Sequence, residues 1–161
     1  MPPKPLIDLN EIDLSNVVAG PEDIRKYNRQ RYEMEHLDAV VLLDLEGGRI
    51  AGYKDVRADE FWVRGHIPGN PLLPGVVMCE AGAQLLSYFF SRATETGRFV
   101  VFGGMDGVKF RQQVRPGQRL VLLGIKLSVQ HRRWNFNIQG FVDGKLAFEG
   151  LLYGIPVESN G

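Results

Sequence analysis

The sequence predicts an α+β fold in which an antiparallel sheet curls around one long buried helix. Three observations carry that prediction. From Val76 to about Thr94 the chain is apolar or small at nearly every position with no proline, too long for an ordinary strand and apolar around most of a helical cylinder. Five or six β-rich runs flank it. Turn pairs, Gly47-Gly48 and Asp143-Gly144, join neighbouring runs as hairpins. A chain of 161 residues with no internal repeat fits one core. The organisation expected is an N-terminal extension over 1–20, a single domain over 21–156 and a frayed tail over 157–161.

In order, the extension is proline-rich and then mixed through Leu6–Leu14, as an arm that packs on the body. Pro21-Glu22-Asp23-Ile24 starts a helix, with proline at a position whose φ it already satisfies and acids at the positive end of the macrodipole. That helix is expected to run on the surface to about Arg31. Ala39–Leu45 and Arg49–Val56 form a hairpin around Gly47-Gly48. After the long helix, Phe99–Phe102 is expected to break at Gly103-Gly104 and resume from Met105 to Phe110. Arg115-Pro116-Gly117-Gln118 turns into a strand over Leu120–Val129. Trp134–Phe141 and Leu146–Tyr153 pair across Asp143-Gly144, and the tail after Pro156 is expected to fray.

Composition narrows the function classes. Lys plus Arg is 19 and Asp plus Glu is 19, so the formal net charge of zero argues against a dedicated nucleic-acid or anionic-membrane surface. Cys79 is the lone cysteine, which excludes an intramolecular disulfide, and no His/Cys cluster has metal-ligand spacing. No apolar run reaches the length of a membrane span. The N-terminus lacks the apolar stretch of a secretory signal, so the expected compartment is the cytoplasm.

The chemistry concentrates in Gly65–Gly75 and the helix that follows. Prolines and glycines there specify one non-repetitive path, which is what holds a single imidazole, His66, in place. Glu80 is a carboxylate inside an apolar helix, where burial raises its pKa. His66 and Glu80 together suit general acid–base work. On residues alone, Glu80 equally fits a core hydrogen-bond network and His66 an ordinary surface loop. Pro74-Gly75 leaves free N–H groups at the helix start, able to hold an oxyanion or simply to begin a helix. Glu80, Gln84, Ser87 and Ser91 form a polar stripe on one helix face. Cys79 fits the core better than a nucleophile's role. His36 and His131 show no comparable context, and Lys109, Arg111, Arg115 and Arg119 form a basic stretch suited to solvent or to an acidic carrier.

These residues resemble a known family. His66-Ile67-Pro68-Gly69-Asn70-Pro71-Leu72-Leu73-Pro74-Gly75-Val76, followed by Glu80-Ala81-Gly82-Ala83-Gln84, is similar to the signature of FabZ-type β-hydroxyacyl-acyl carrier protein dehydratases, H-F-P-G-x-P-x-M-P-G-V and then E-A-x-A-Q. The resemblance extends from about Gln30 to Tyr153. It implies the hotdog fold, with His66 as catalytic histidine, Glu80 as catalytic acid and the Gly75 N–H on the thioester carbonyl. It further implies Gln84 and Leu72 as supporting residues and Ile67, Pro74, Val76 and Phe110 in the substrate tunnel.

The resemblance also implies a homodimer with sites at its interface, in some members a trimer of dimers. The acyl group arrives on the phosphopantetheine of acyl carrier protein, without metal or organic cofactor, and leaves as a trans-2-enoyl thioester. Where the family carries H-R-Y-P-F-L-L-V-D-R-V, this chain reads Gln30-Arg31-Tyr32-Glu33-Met34-Glu35-His36-Leu37-Asp38-Ala39-Val40, keeping Tyr32 and Asp38. That departure bears on chain length and carrier choice. A hotdog acyl thioesterase and a non-catalytic acyl-carrier binding module are the competing functions.

Overall fold

The computed structural model describes residue 1 and residues 3–159. Its elements are α1 (Pro21–Arg25), β1 (Ala39–Asp44), β2 (Arg49–Asp55), α2 (Gly75–Thr94), β3 (Phe99–Phe110), β4 (Arg119–Gln130), β5 (Arg133–Val142) and β6 (Lys145–Val157). Short 3-10 turns lie at Leu9–Glu11 and Tyr32–Met34. The six strands form one antiparallel sheet in the order β1-β2-β4-β5-β6-β3, and α2 packs along its inner face.

The strands show why α2 had to be apolar all round. Side chains alternate between the faces of a strand, so Ile50 and Leu122 meet α2 while Ala51 and Leu123 point the other way. On the inner face Ile50, Leu120, Leu122, Phe136, Ile138, Phe148 and Leu152 surround Met78, Leu85 and Phe89 of the helix. The outer face is apolar as well and would be left in water without a cover. Residues 6–14 supply one. Ile7 is buried there with Ala39, Val41, Ala51, Leu123 and Phe141, flanked by Leu6, Leu9, Ile12 and Leu14. The Leu6 N–H donates to Gln139 Oε1 at 2.7 Å, and Gln139 Nε2 returns a bond to the Lys4 carbonyl at 3.1 Å.

The two sheet edges are treated differently. β1 is closed by the arm, where Ala19 bridges Val40 and the Val18 N–H donates to the Val40 carbonyl at 2.8 Å. The free edge of β3 has no strand beside it among the described residues, and its Val101, Phe102, Met105 and Phe110 are exposed. A long, apolar, unpaired strand is a template for another chain.

Three expectations are corrected. α1 ends at Arg25 instead of Arg31, because the next residues have better partners elsewhere. Asn28 Nδ2 donates to the Gln84 carbonyl at 2.8 Å, pulling residues 28–37 across α2. β3 continues through Gly103-Gly104 with register shifts and no break. A Cβ on Gly104 would collide with the Tyr153 ring, so the glycines let the strand pass beneath that ring. The tail does not fray at 157, since Val157 pairs with Phe99 and β6 passes through Pro156. The last expected tail residues, 160 and 161, lie outside the described residues. No helix among the described residues is long and apolar enough to cross a membrane.

Candidate active site

The loop that presents His66 is tied at both ends. The Trp62 carbonyl accepts the His66 N–H at 2.8 Å and the Gly65 N–H at 3.2 Å, and the Leu73 N–H donates to the Val114 carbonyl at 2.7 Å. Arg115 Nη1 holds the Asn70 side-chain oxygen at the loop's tip. Within it His66 and Leu72 exchange two bonds. The Leu72 N–H donates to the His66 carbonyl at 2.9 Å, and His66 Nδ1 lies 2.7 Å from the Leu72 carbonyl. A carbonyl only accepts, so Nδ1 carries the proton and Nε2 is left as the basic nitrogen. The imidazole is exposed in the single chain.

Glu80 lies in the second turn of α2, half-buried. Burial pushes its carboxyl pKa up, and a bond from Gln84 Nε2 to Oε1 at 2.8 Å offsets part of that rise. Gln84 is itself buried and fully used. Its Nε2 also donates to the Met34 carbonyl at 2.6 Å, while its Oε1 accepts the N–H groups of His36 at 2.9 Å and Leu37 at 3.2 Å. Four bonds exhaust an amide's capacity. Gln84 thus fastens the segment 34–37 to the helix and aims Glu80.

At the start of α2, Pro74 caps without a side-chain bond, and the Gly75 and Val76 N–H groups have no acceptor among the described residues. They point along the positive end of the helix dipole. Phe110 covers Gly75 so closely that a Cβ there would stand 2.7 Å from its ring. Ile67, Val76 and Phe110 are exposed, and Pro74 half-buried, around this helix start.

The cavity that Glu80 lines is bounded by other residues. Ala83, Leu86, Ser87 and Phe90 form its helical wall, and Gln30, Val100–Phe102, Trp134 and Tyr153 close around it. Among the described residues, neither His66 nor Gly75, nor any of the four tunnel residues Ile67, Pro74, Val76 and Phe110, lines that cavity in one chain. The structure therefore brings Glu80 to Gln84 and His66 to Leu72, and no hydrogen bond joins the two pairs among the described residues.

Sequence reasoning missed a buried charged cluster. Lys54, wholly buried, donates to Glu60 Oε1 at 2.6 Å and to His36 Nδ1 at 3.3 Å. Burial and the adjacent Lys54 ammonium push the His36 pKa down to about 4, so the ring is neutral at pH 7. Burial alone would raise Glu60, but Lys54 and the Arg57 N–H hold it below its usual value. The alternation of β2 was the available signal, because it turns Lys54 to the same face as Ile50. The basic stretch disperses instead: Arg119 forks onto Asp55 at 2.7 and 3.1 Å, and Arg111 pairs with Glu149. Cys79 is buried in the core, where burial raises its thiol pKa.

Solved structures share this fold. The dehydratase heterocomplex ApeI:P from Xenorhabdus doucetiae aligns with TM-score 0.68 at 16% identity, over 84% of this chain and 91% of that one. A mutant of the fluoroacetyl-CoA-specific thioesterase FlK aligns with TM-score 0.61 at 14% identity, over 69% of this chain and 86% of that one. An uncharacterized protein from Pyrococcus horikoshii aligns with TM-score 0.58 at 15% identity, over 74% and 82% of the two chains. Residues 28–150 match the FabA-like domain.

Proposed function

Because the chain belongs to the FabA-like domain family, with the hotdog fold, we propose that it dehydrates 3-hydroxyacyl thioesters carried on the phosphopantetheine of acyl carrier protein. The observation that carries this reading is the division of protons between His66 and Glu80. His66 keeps its proton on Nδ1 through Leu72 and offers Nε2 as a base. Glu80 sits where burial favours the protonated acid. The Gly75 N–H, free at the head of α2, polarises the thioester carbonyl and acidifies the C2 proton. His66 Nε2 removes that proton, the C2–C3 double bond forms, and the C3 hydroxyl leaves as water with the proton of Glu80. The product is a trans-2-enoyl thioester, and the imidazolium returns its proton to solvent while Glu80 is reprotonated. The step uses no metal or organic cofactor.

The reaction needs His66 and Glu80 at one substrate, yet within one chain His66 does not line the Glu80 cavity and no bond joins the two. We therefore place the site between two copies, His66 of one facing Glu80 of the other. The open apolar edge of β3 supports that assembly, since Val100–Phe102 on this strand also wall the Glu80 cavity.

The test follows two signals at once, the enoyl chromophore and free thiol, during incubation with 3-hydroxyacyl and crotonyl thioesters of acyl carrier protein. Reversible interconversion without thiol release is expected. Thiol release would make the protein a thioesterase. Carrier binding without either signal, unaltered in His66→Ala, would make it a binding module.

A further inference from the structure

A second hollow of different character lies beside the cavity that Glu80 lines, farther along α2. The wall of the first follows α2 from Glu80 past Ser87 to Phe90, and a separate cleft of about 500 Å³ has the next residue, Ser91, in its lining. Sequence neighbours share the boundary: Phe90 and Ser91, Gln30 and Arg29, Val100 and Phe99 each contribute one residue to either side. At 1.5 Å per residue, Glu80 and Ser91 stand roughly 16 Å apart along the helix. A chain of that length reacting at Glu80 and lying along α2 would bring its other end to this cleft.

The cleft is cationic in a protein of zero net charge. Arg25, Lys26, Arg29, Arg31 and Arg98 line it against one carboxylate, Glu95. Arg25 and Lys26 are paired with Glu35 and Asp23, and Arg31 is spent on the carbonyls of Arg25, Asn28 and Gln30. Arg29 and Arg98 have no carboxylate partner among the described residues. Arg29 reaches Ser159 Oγ at 2.7 Å and stacks on Phe99, and among the described residues Arg98 reaches only Thr96 Oγ1, at 3.4 Å.

Unsatisfied polar atoms collect at the same place. Ser91 Oγ, Asn28 Oδ1 and Gln30 Oε1 are buried without a hydrogen-bond partner among the described residues. Ser91 and Asn28, each more than nine-tenths buried, line the cleft, and Gln30 lines the cavity beside it. Orphaned donors and acceptors are costly, and their gathering marks a position meant for a polar group.

We propose that this cleft seats the far end of the substrate and that the preferred acyl chain terminates in a carboxylate. The inference rests on the dehydratase reading for where the thioester lies. A methyl terminus would take the Arg29 and Arg98 guanidinium groups out of water, return no hydrogen bond, and leave the buried Ser91 Oγ without a partner. A carboxylate accepts from both guanidinium groups in the fork geometry they favour and from the Ser91 hydroxyl. An acidic carrier protein fits the place less well, because the carrier stays with the thioester at the Gly75 end of α2 and the cleft is at the opposite end.

The test compares 3-hydroxyacyl thioesters of pantetheine and of acyl carrier protein, of matched length and ending in carboxylate or methyl, across several lengths, with the full chain and its Arg29→Gln/Arg98→Gln double variant. At the length that spans the cavity, kcat/KM should favour the carboxylate by about tenfold or more in low salt, and that ratio should fall towards unity in the double variant. An unchanged ratio in the variant, or a preference for methyl in the wild type, overturns the proposal. So does a loss in the variant equal for both termini and confined to carrier-delivered substrates, which would make the cleft a carrier dock. Calorimetry with unreactive thioether analogues of both ends separates the two readings. Tighter carboxylate binding that depends on Arg29 and Arg98, without any dehydration, keeps the cleft and removes the dehydratase. Dehydration without such discrimination does the reverse. A thermal melt of the double variant confirms that it is folded.

Discussion

Gln84 donates to Glu80 Oε1 at 2.8 Å while its own oxygen accepts the backbone N–H groups of His36 and Leu37. One side chain thus aims a carboxyl and pins residues 34–37 to the central helix. Replacing it with leucine would leave two buried N–H groups and the Met34 carbonyl without partners and release Glu80. Gln84→Leu is expected to cost about 2–4 kcal/mol in urea unfolding. It should also lower kcat well beyond any effect on KM, because Glu80 loses its orientation. Unaltered kcat in a folded variant would show that Gln84 serves the segment alone.

The central helix and its polar stripe were legible because their causes are local. A helix wrapped on all sides must be apolar on all sides, so Glu80, Gln84, Ser87 and Ser91 stood out. The structure gives the stripe a meaning that spacing could not: it runs from the candidate acid, under the 28–37 segment, to the cationic cleft. What stayed hidden depends on partners far along the chain. α1 stops early because Asn28 finds the Gln84 carbonyl, 56 residues away. His36 looked ordinary because Lys54 and Glu60 reach it only once β2 has folded. Arg29 and Arg98 likewise belong to separate segments until β3 is laid beside residues 28–31.

His36 should make stability depend on pH. Its ring titrates at about 4 when folded against an ordinary value of 6.5, so between those limits the unfolded chain binds more protons than the folded one. The contribution is fully present above pH 6.5 and falls as pH drops towards 4, by about 3 kcal/mol in all. His36→Gln retains an acceptor for Lys54 without titrating. The stability difference between wild type and variant should therefore shrink as pH falls through this window, measured by urea midpoints. A difference constant with pH would mean that the ring is not held neutral.

Gly75 is expected to be intolerant of a side chain for a reason separable from its N–H. A Cβ would meet the Phe110 ring at 2.7 Å, but that ring is half exposed and free to swing. Gly75→Ala should therefore lower stability by less than about 1 kcal/mol while reducing kcat/KM, as Phe110 is driven across the helix start. Adding Phe110→Ala should recover part of the loss. Failure of this second change to recover any activity would locate the damage in the backbone at Gly75.

The sharing of one site between two chains makes a stronger demand. His66→Ala and Glu80→Gln should each lose turnover by about a hundredfold or more, since each removes one partner of the proton exchange. Glu80→Gln should be no less stable than wild type, because a neutral amide replaces a carboxyl that burial disfavours as an anion. If each site takes His66 from one protomer and Glu80 from its partner, a mixed dimer holds one intact site and one doubly damaged site. Unfolding the two inactive variants together and refolding them as an equal mixture should then restore about a quarter of wild-type activity, with random pairing in a two-fold dimer. Sites built within single chains would give no restoration under the same treatment, and sedimentation of the mixture shows whether dimers have formed.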